Sequence, residues 1–153
     1  MNIFVLDYDT SVCARWHMDK HVVKMPLETA QLLCTGLILN GTEARYKTVH
    51  KNHPCSIWAR ETQSNFLWLA DLGIKLCDEY SYRYGKIHAC LEVIKDCISK
   101  VETIKSGGLT DFAQAMPDEY KRPNPIDGYK AYYLGAKRKL AFWKMREPPP
   151  WWE

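Results

Sequence analysis

Trp16 to Glu28, WHMDKHVVKMPLE, is the stretch on which the fold reading turns. At about 100° per residue on a helix, His17, Lys20, His21, Lys24 and Glu28 share one narrow stripe. Gln31 and Thr35 extend it, and Met18, Val22 and Met25 lie beside it. So apolar a flank predicts a largely buried helix. A row of ionisable groups on such a helix is costly unless the groups pair or act on something. The stripe is therefore the first candidate site.

Outward from it, the helix is expected to run from about Ala14 to Asn40, kinked at Pro26 and ended by Asn40-Gly41. Upstream, Asn2–Leu6 reads as a strand or as an extended terminus tucked into the core, with Asp9 or Thr10 capping a first turn. Downstream, Thr42–Pro54 is a polar loop. A second long helix is expected from Cys55-Ser56 to Gly85, and a third carries Cys90, Ile94, Cys97 and Val101. Ser106-Gly107-Gly108 opens a long connection. Asn124 and Pro125 begin a last helix whose stripe runs through Ile126, Tyr129, Tyr133, Ala136, Leu140 and Trp143, bordered by Lys130, Lys137 and Lys144. The expected architecture is mainly α, a single compact domain spanning 1–153, with about four helices and long loops.

The chain has 153 residues, 46% of them hydrophobic, with six Trp and nine Tyr, so large rings must fill much of one core. Its net charge of +3 is unevenly spread. Lys121 to Arg146 holds eight Lys/Arg against one acid, Asp127, and points to an anionic partner. The six cysteines form no CxxC and several fall at apolar helical positions, so they read as reduced core thiols of a cytoplasmic protein. The start MNIFVLDYD is unlike a signal peptide, no segment is expected to reach transmembrane length, and no membrane partner is implied.

Several chemistries fit the stripe. On a partly buried helix Lys24, beside Lys20, is expected to lose hydration. A neutral amine can attack a sugar or carbonyl carbon to form a Schiff base. Charged, the same pair would grip phosphate. Glu28 suits an acid, a base, or simply an i,i+4 partner for Lys24. His17 and His21 are spaced to share a metal with His50, His53 or Cys55, but HExxH and a close Cys pair are both missing, so no metal and no cofactor is assigned. Arg45, Lys47, His50 and His53 in the polar loop, with Lys137 and Lys144, are candidate phosphate contacts. Tyr46, Trp151 and Trp152 can stack on bases, although Pro148–Pro150 more simply folds the two tryptophans back as a lid. The P-loop, GxGxxG and GxSxG motifs do not occur.

HMDKHVVKMP, at His17–Pro26, resembles the first-helix motif of the pyrimidine-dimer DNA glycosylases of the phage endonuclease V type, which also place a His nine residues before a helix-kinking Pro. The resemblance continues in order through HPCSIWARETQSNFLWL, EYSYRYGKI, FAQAMPDEYKRP and REPPPWW. It implies a compact, mainly α domain acting in host cytoplasm on damaged DNA, with hydrolase and lyase chemistry. Family members use the α-amine of a Thr exposed by loss of the initiator Met, helped by a first-helix Glu. Here residue 2 is Asn, which normally blocks that loss, so Met1 is the expected terminus. The register set by His17 and Pro26 puts Lys24 where the family has its Glu. His17 carries over as a substrate contact.

Three functions are then open. One is a divergent DNA glycosylase/lyase with Lys24 or the Met1 amine as nucleophile and Glu28 and His21 in support. The second is an enzyme on a free or modified nucleotide, and the third a non-catalytic protein that sequesters a nucleotide or nucleic acid. In each, His17, Lys20, Gln31, Arg45, Lys47, His50, His53, Lys137, Lys144 and Trp151 are the candidate binding residues.

Overall fold

Asp9 and Arg83 set the two ends of the first helix. In the computed structural model, which describes all residues from Met1 to Glu153, α1 spans Thr10–Trp16. The Asp9 carboxylate accepts hydrogen bonds from the Ser11 and Val12 N–H groups. At the other end Arg83 donates to the carbonyls of Arg15 and His17, which an α-helix would leave unpaired. His17 and Met18 are extended, and α2 starts only at Asp19, running to Leu39. The single helix expected from Ala14 to Asn40 is thus two, and His17 leaves the stripe. Pro26 lies inside α2, and the helix does end at Asn40-Gly41, where Gly41 takes a φ of 86°.

The expected second helix also divides. α3 (Pro54–Glu61) is capped by His53 and α4 (Gln63–Tyr84) by Thr62, whose extended backbone separates them. Gly85, in the left-handed region, ends α4 as expected. α5 (Leu91–Ile98) is followed by a 3₁₀ turn at Val101–Thr103. Asn124 caps α6 (Pro125–Leu134) and Pro125 takes its first position, also as expected. However, α6 stops at Gly135, against which the Tyr120 ring packs too closely to leave room for a Cβ. The stripe predicted to reach Trp143 therefore ends early. Lys137 and Lys144 lie beyond the helix, in a segment with one 3₁₀ turn at Arg138–Leu140.

The fold is all-helical, and α4 is its centre, packing against α1, α2, α3 and α5. Phe66, Leu69, Leu72 and Leu76 of α4 meet Leu32, Leu33 and Leu37 of α2 in one core. Ile3–Leu6 forms no strand. It runs extended through this core, and all four side chains are buried. Cys13 serves its backbone, its Sγ accepting from Leu6 N–H and donating to the Phe4 carbonyl. This threading delivers Met1 to the side of α2. All six cysteines are buried free thiols. Contrary to expectation, one helix does reach membrane-spanning length: α2 has 21 residues and contains an 18-residue window of mean hydropathy 1.3, although 67% of that window is buried inside the protein.

Candidate active site

Every turn of α2 brings one polar residue to the same side. His21, Lys24, Met25 and Glu28 line a cavity of about 150 Å³, closed by Met1, Asn2 and Phe4 from the terminus and by Tyr132 and Lys137 from the C-terminal region. The Glu28 carboxylate is buried at its base. Its Oε1 accepts the Asn2 N–H at 3.0 Å and lies 3.4 Å from the Met1 α-amino nitrogen, while its Oε2 lies 3.6 Å from Lys24 Nζ. One carboxylate therefore holds two primary amines, one on each oxygen. A third cation, Lys137 Nζ, sits 5.0 Å from the Tyr132 ring centroid and 5.9 Å from that of Phe4. Three amines facing one carboxylate leave the cavity suited to an anion.

His21 forms one wall. Its ring stacks on Phe4 with centroids 4.0 Å apart, and Nδ1 is 2.6 Å from the Tyr133 hydroxyl. That hydroxyl also accepts the Met18 N–H, so it ties the His21 ring to the start of α2. Burial, reinforced by the charges of His17, Lys137 and Lys24, pushes His21 down to about 2. It is a neutral hydrogen-bonding wall at physiological pH, not a cation.

The structure separates the other sequence-predicted residues into three groups. His53 does not line the cavity: its Nδ1 caps α3 by accepting the Cys55 N–H, and burial and the N-terminal amine lower its pKa, with Glu28 opposing. Gln31, Arg45 and Lys47 line an adjoining hollow of about 470 Å³ with Leu27, Tyr46 and Val49, one turn farther along α2. His50, on the same loop, takes a φ of 45°. The third group is elsewhere. His17 is fully buried and packs edge-on to Phe4, His21 and Tyr133, so it lines no cavity, and its expected substrate contact is corrected. Lys144 Nζ lies over Tyr84. Trp151 packs on Trp16 and Tyr133, as the lid reading expected. Lys20 is exposed on the first turn of α2. Lys24 does line the cavity, but 68% of its side chain is exposed, so the loss of hydration expected of it does not occur.

Sequence reasoning missed Asn2, Phe4, Tyr132 and Tyr133. Their only signal was the apolar run at the terminus and the aromatic spacing of α6. It also missed the buried charge network below the site. Arg83, 2% exposed, donates to Glu79, Asp19 and the two carbonyls that end α1, and Arg146 makes a paired contact with Glu79. A shallow hollow of about 320 Å³ lies over this network, walled by the paired Glu79 and Arg146 and by Arg15, Lys75 and Asp78.

No group of three or more His, Cys, Asp or Glu side chains converges to hold a metal ion. Comparison with protein-family models, with curated proteins and with solved structures finds no match for this chain.

Proposed function

We propose that this protein is a DNA glycosylase/lyase that uses a primary amine to open the N-glycosidic bond of a damaged or modified base. The observation that carries the reading is the Glu28 carboxylate with an amine on each oxygen at the base of a cationic cavity. The resemblance to the endonuclease V type enzymes supports it, with one change. Lys24 was expected at the position of the family's Glu, but Glu28, one turn on, takes the place beside the terminal amine.

The chemistry follows from that pairing. An amine lone pair attacks C1′ of the sugar, and the C1′–N bond breaks with its electrons leaving on the base. One amine proton passes through Glu28 to the departing base. The furanose ring then opens, O4′ takes a proton from solvent, and the nitrogen keeps its second hydrogen in a protonated imine. Glu28 can next take a C2′ proton, which expels the 3′ phosphate by β-elimination. The Met1 amine is buried against Glu28 Oε1 whereas the Lys24 side chain is mostly exposed, which favours Met1 over Lys24 as the nucleophile. Lys24 and Lys137 then serve the phosphates, and His21 serves as a hydrogen-bonding wall.

The test is borohydride trapping on duplexes that carry an abasic site or one of a panel of damaged bases. A covalent adduct is expected, and peptide mass spectrometry assigns it to the terminal peptide or to Lys24. Absence of both adduct and base release across the panel rejects the reading. A second reading, nucleotide sequestration, draws on the hollow lined by Gln31, Arg45, Tyr46 and Lys47. Recovery of a bound nucleotide intact after long incubation favours it.

A further inference from the structure

The loop after the last 3₁₀ turn exposes two large apolar side chains that ought to be buried. Phe142 is 72% exposed and Met145 61%. Loops usually escape such exposure by folding over, but this one is clamped at four points. The Phe142 carbonyl accepts the Asp19 N–H at 2.8 Å, the Lys144 N–H donates to Asp19 Oδ1 at 2.9 Å, and Trp143 Nε1 donates to the Trp16 carbonyl at 2.9 Å. Arg146 closes the loop with two bonds to the Glu79 carboxylate. Met145 takes a φ of 61°, a conformation rarely adopted by a residue with a side chain, and so turns the chain back to that anchor. The loop is held rigid with its apolar side chains outward.

Its position and charge say what it meets. Lys137 to Arg146 carries five cations and no acid. One end of this segment, Lys137, lines the Glu28 cavity. The segment's middle, at Phe142 and Lys144, is bonded to Asp19 in the first turn of α2, the helix that lines the cavity with His21. A rigid aromatic side chain among lysines, five residues from the cavity-lining Lys137, matches the apolar wedges that enter a base stack and hold a nucleotide unstacked.

We propose that Phe142 is such a wedge. It enters the duplex beside the nucleotide taken into the Glu28 cavity, while Lys137, Lys139 and Lys144 follow the phosphates. This rests on the DNA reading above. An anionic bilayer shares the charge, but two side chains on a tight loop offer it too small an apolar face.

The test uses a duplex with 2-aminopurine next to a tetrahydrofuran abasic analogue. Saturating wild-type protein is expected to raise the 2-aminopurine fluorescence, because the wedge unstacks the base. F142A is expected to lose the rise while keeping the steep salt dependence of binding, and F142W to restore it. A rise that survives in F142A, or salt-dependent wild-type binding with no rise, overturns the wedge and leaves the DNA reading standing. Failure of the wild-type protein to bind duplex DNA overturns both. In that case, binding to phosphatidylserine vesicles that is lost in F142A makes the loop a lipid anchor.

Discussion

Glu28 Oε1 lies 3.4 Å from the Met1 amino nitrogen, although 27 positions separate the two residues in sequence. The pair exists because Ile3–Leu6 is drawn into the core and the Asn2 N–H anchors on the same oxygen. A buried carboxylate beside an amine can remove protons from it and return them to a leaving group.

E28Q keeps the shape and the Asn2 hydrogen bond but removes that exchange. Adduct formation in borohydride trapping should fall by about 10²–10⁴-fold, the usual contribution of a general acid–base group. Acetylating the terminus should abolish the adduct while K24A keeps it. The reverse pattern would make Lys24 the nucleophile.

Gly73 is where α4 meets α2 and α5 most closely. A Cβ there would lie 2.7 Å from Thr29 Cγ2 and 2.9 Å from Ile94 Cδ1. Overpacking of this kind costs about 1–3 kcal/mol, against about 0.5–1 kcal/mol gained from helix propensity. G73A should lower the urea midpoint, and T29S, which deletes the Thr29 methyl, should recover part of the loss. A midpoint unchanged in G73A would mean that the helices separate freely there.

Much of this architecture was legible wherever the signal was local. Asp9, Asn124-Pro125, Asn40-Gly41 and Gly85 each set a helix boundary through their own hydrogen bonds or backbone freedom. The break at His17–Met18 was not legible because its cause is Arg83, 66 residues away, which captures the His17 carbonyl. The end of α6 was hidden for a similar reason, since Tyr120 crowds Gly135 from another segment. In the site, the period of α2 grouped His21, Lys24 and Glu28 correctly. Periodicity carries no information about chain return, so Met1 came into view only as a chemical candidate, and Asn2 and Tyr133 not at all.

His17 and His21 make the fold sensitive to acid. Burial lowers His17 to about 4, the Cys13 carbonyl opposing it, and lowers His21 to about 2. Both are neutral in the folded and unfolded chain above about pH 6.5. Below that the unfolded chain takes up two protons that the folded one does not, so stability present at neutral pH is lost as pH falls toward 4. The slope for two such groups is up to about 2.7 kcal/mol per pH unit. Denaturant titrations between pH 7 and 4 should show it, and H17F should halve it. A flat profile in the wild-type protein would mean that the imidazoles reach water.

Glu79 acts in a lower window and ties the network to the wedge loop. Burial pushes its carboxyl up, but the hydrogen bonds from Arg146 and Arg83 outweigh burial and hold it below the ordinary value. Its contribution is present above the unfolded carboxylate range and lost as pH falls through the lowered value, below the His17 window and overlapping the acid end of that of His21. E79A strands the buried Arg83 guanidinium with one carboxylate, Asp19, and leaves the Arg146 guanidinium with only its stacking on the Tyr82 ring. Breaking a buried pair from one side costs about 3–5 kcal/mol, so a large fall in the denaturation midpoint is expected. E79Q should lose less, because its amide oxygen still accepts. Hydrogen exchange separates the local effect from the global one. In E79Q the Lys144 and Arg146 amides should exchange faster while the α4 core amides keep their protection. Loss of protection across α4 instead would make Glu79 a keystone of the helix packing, with no selective hold on the loop that carries Phe142.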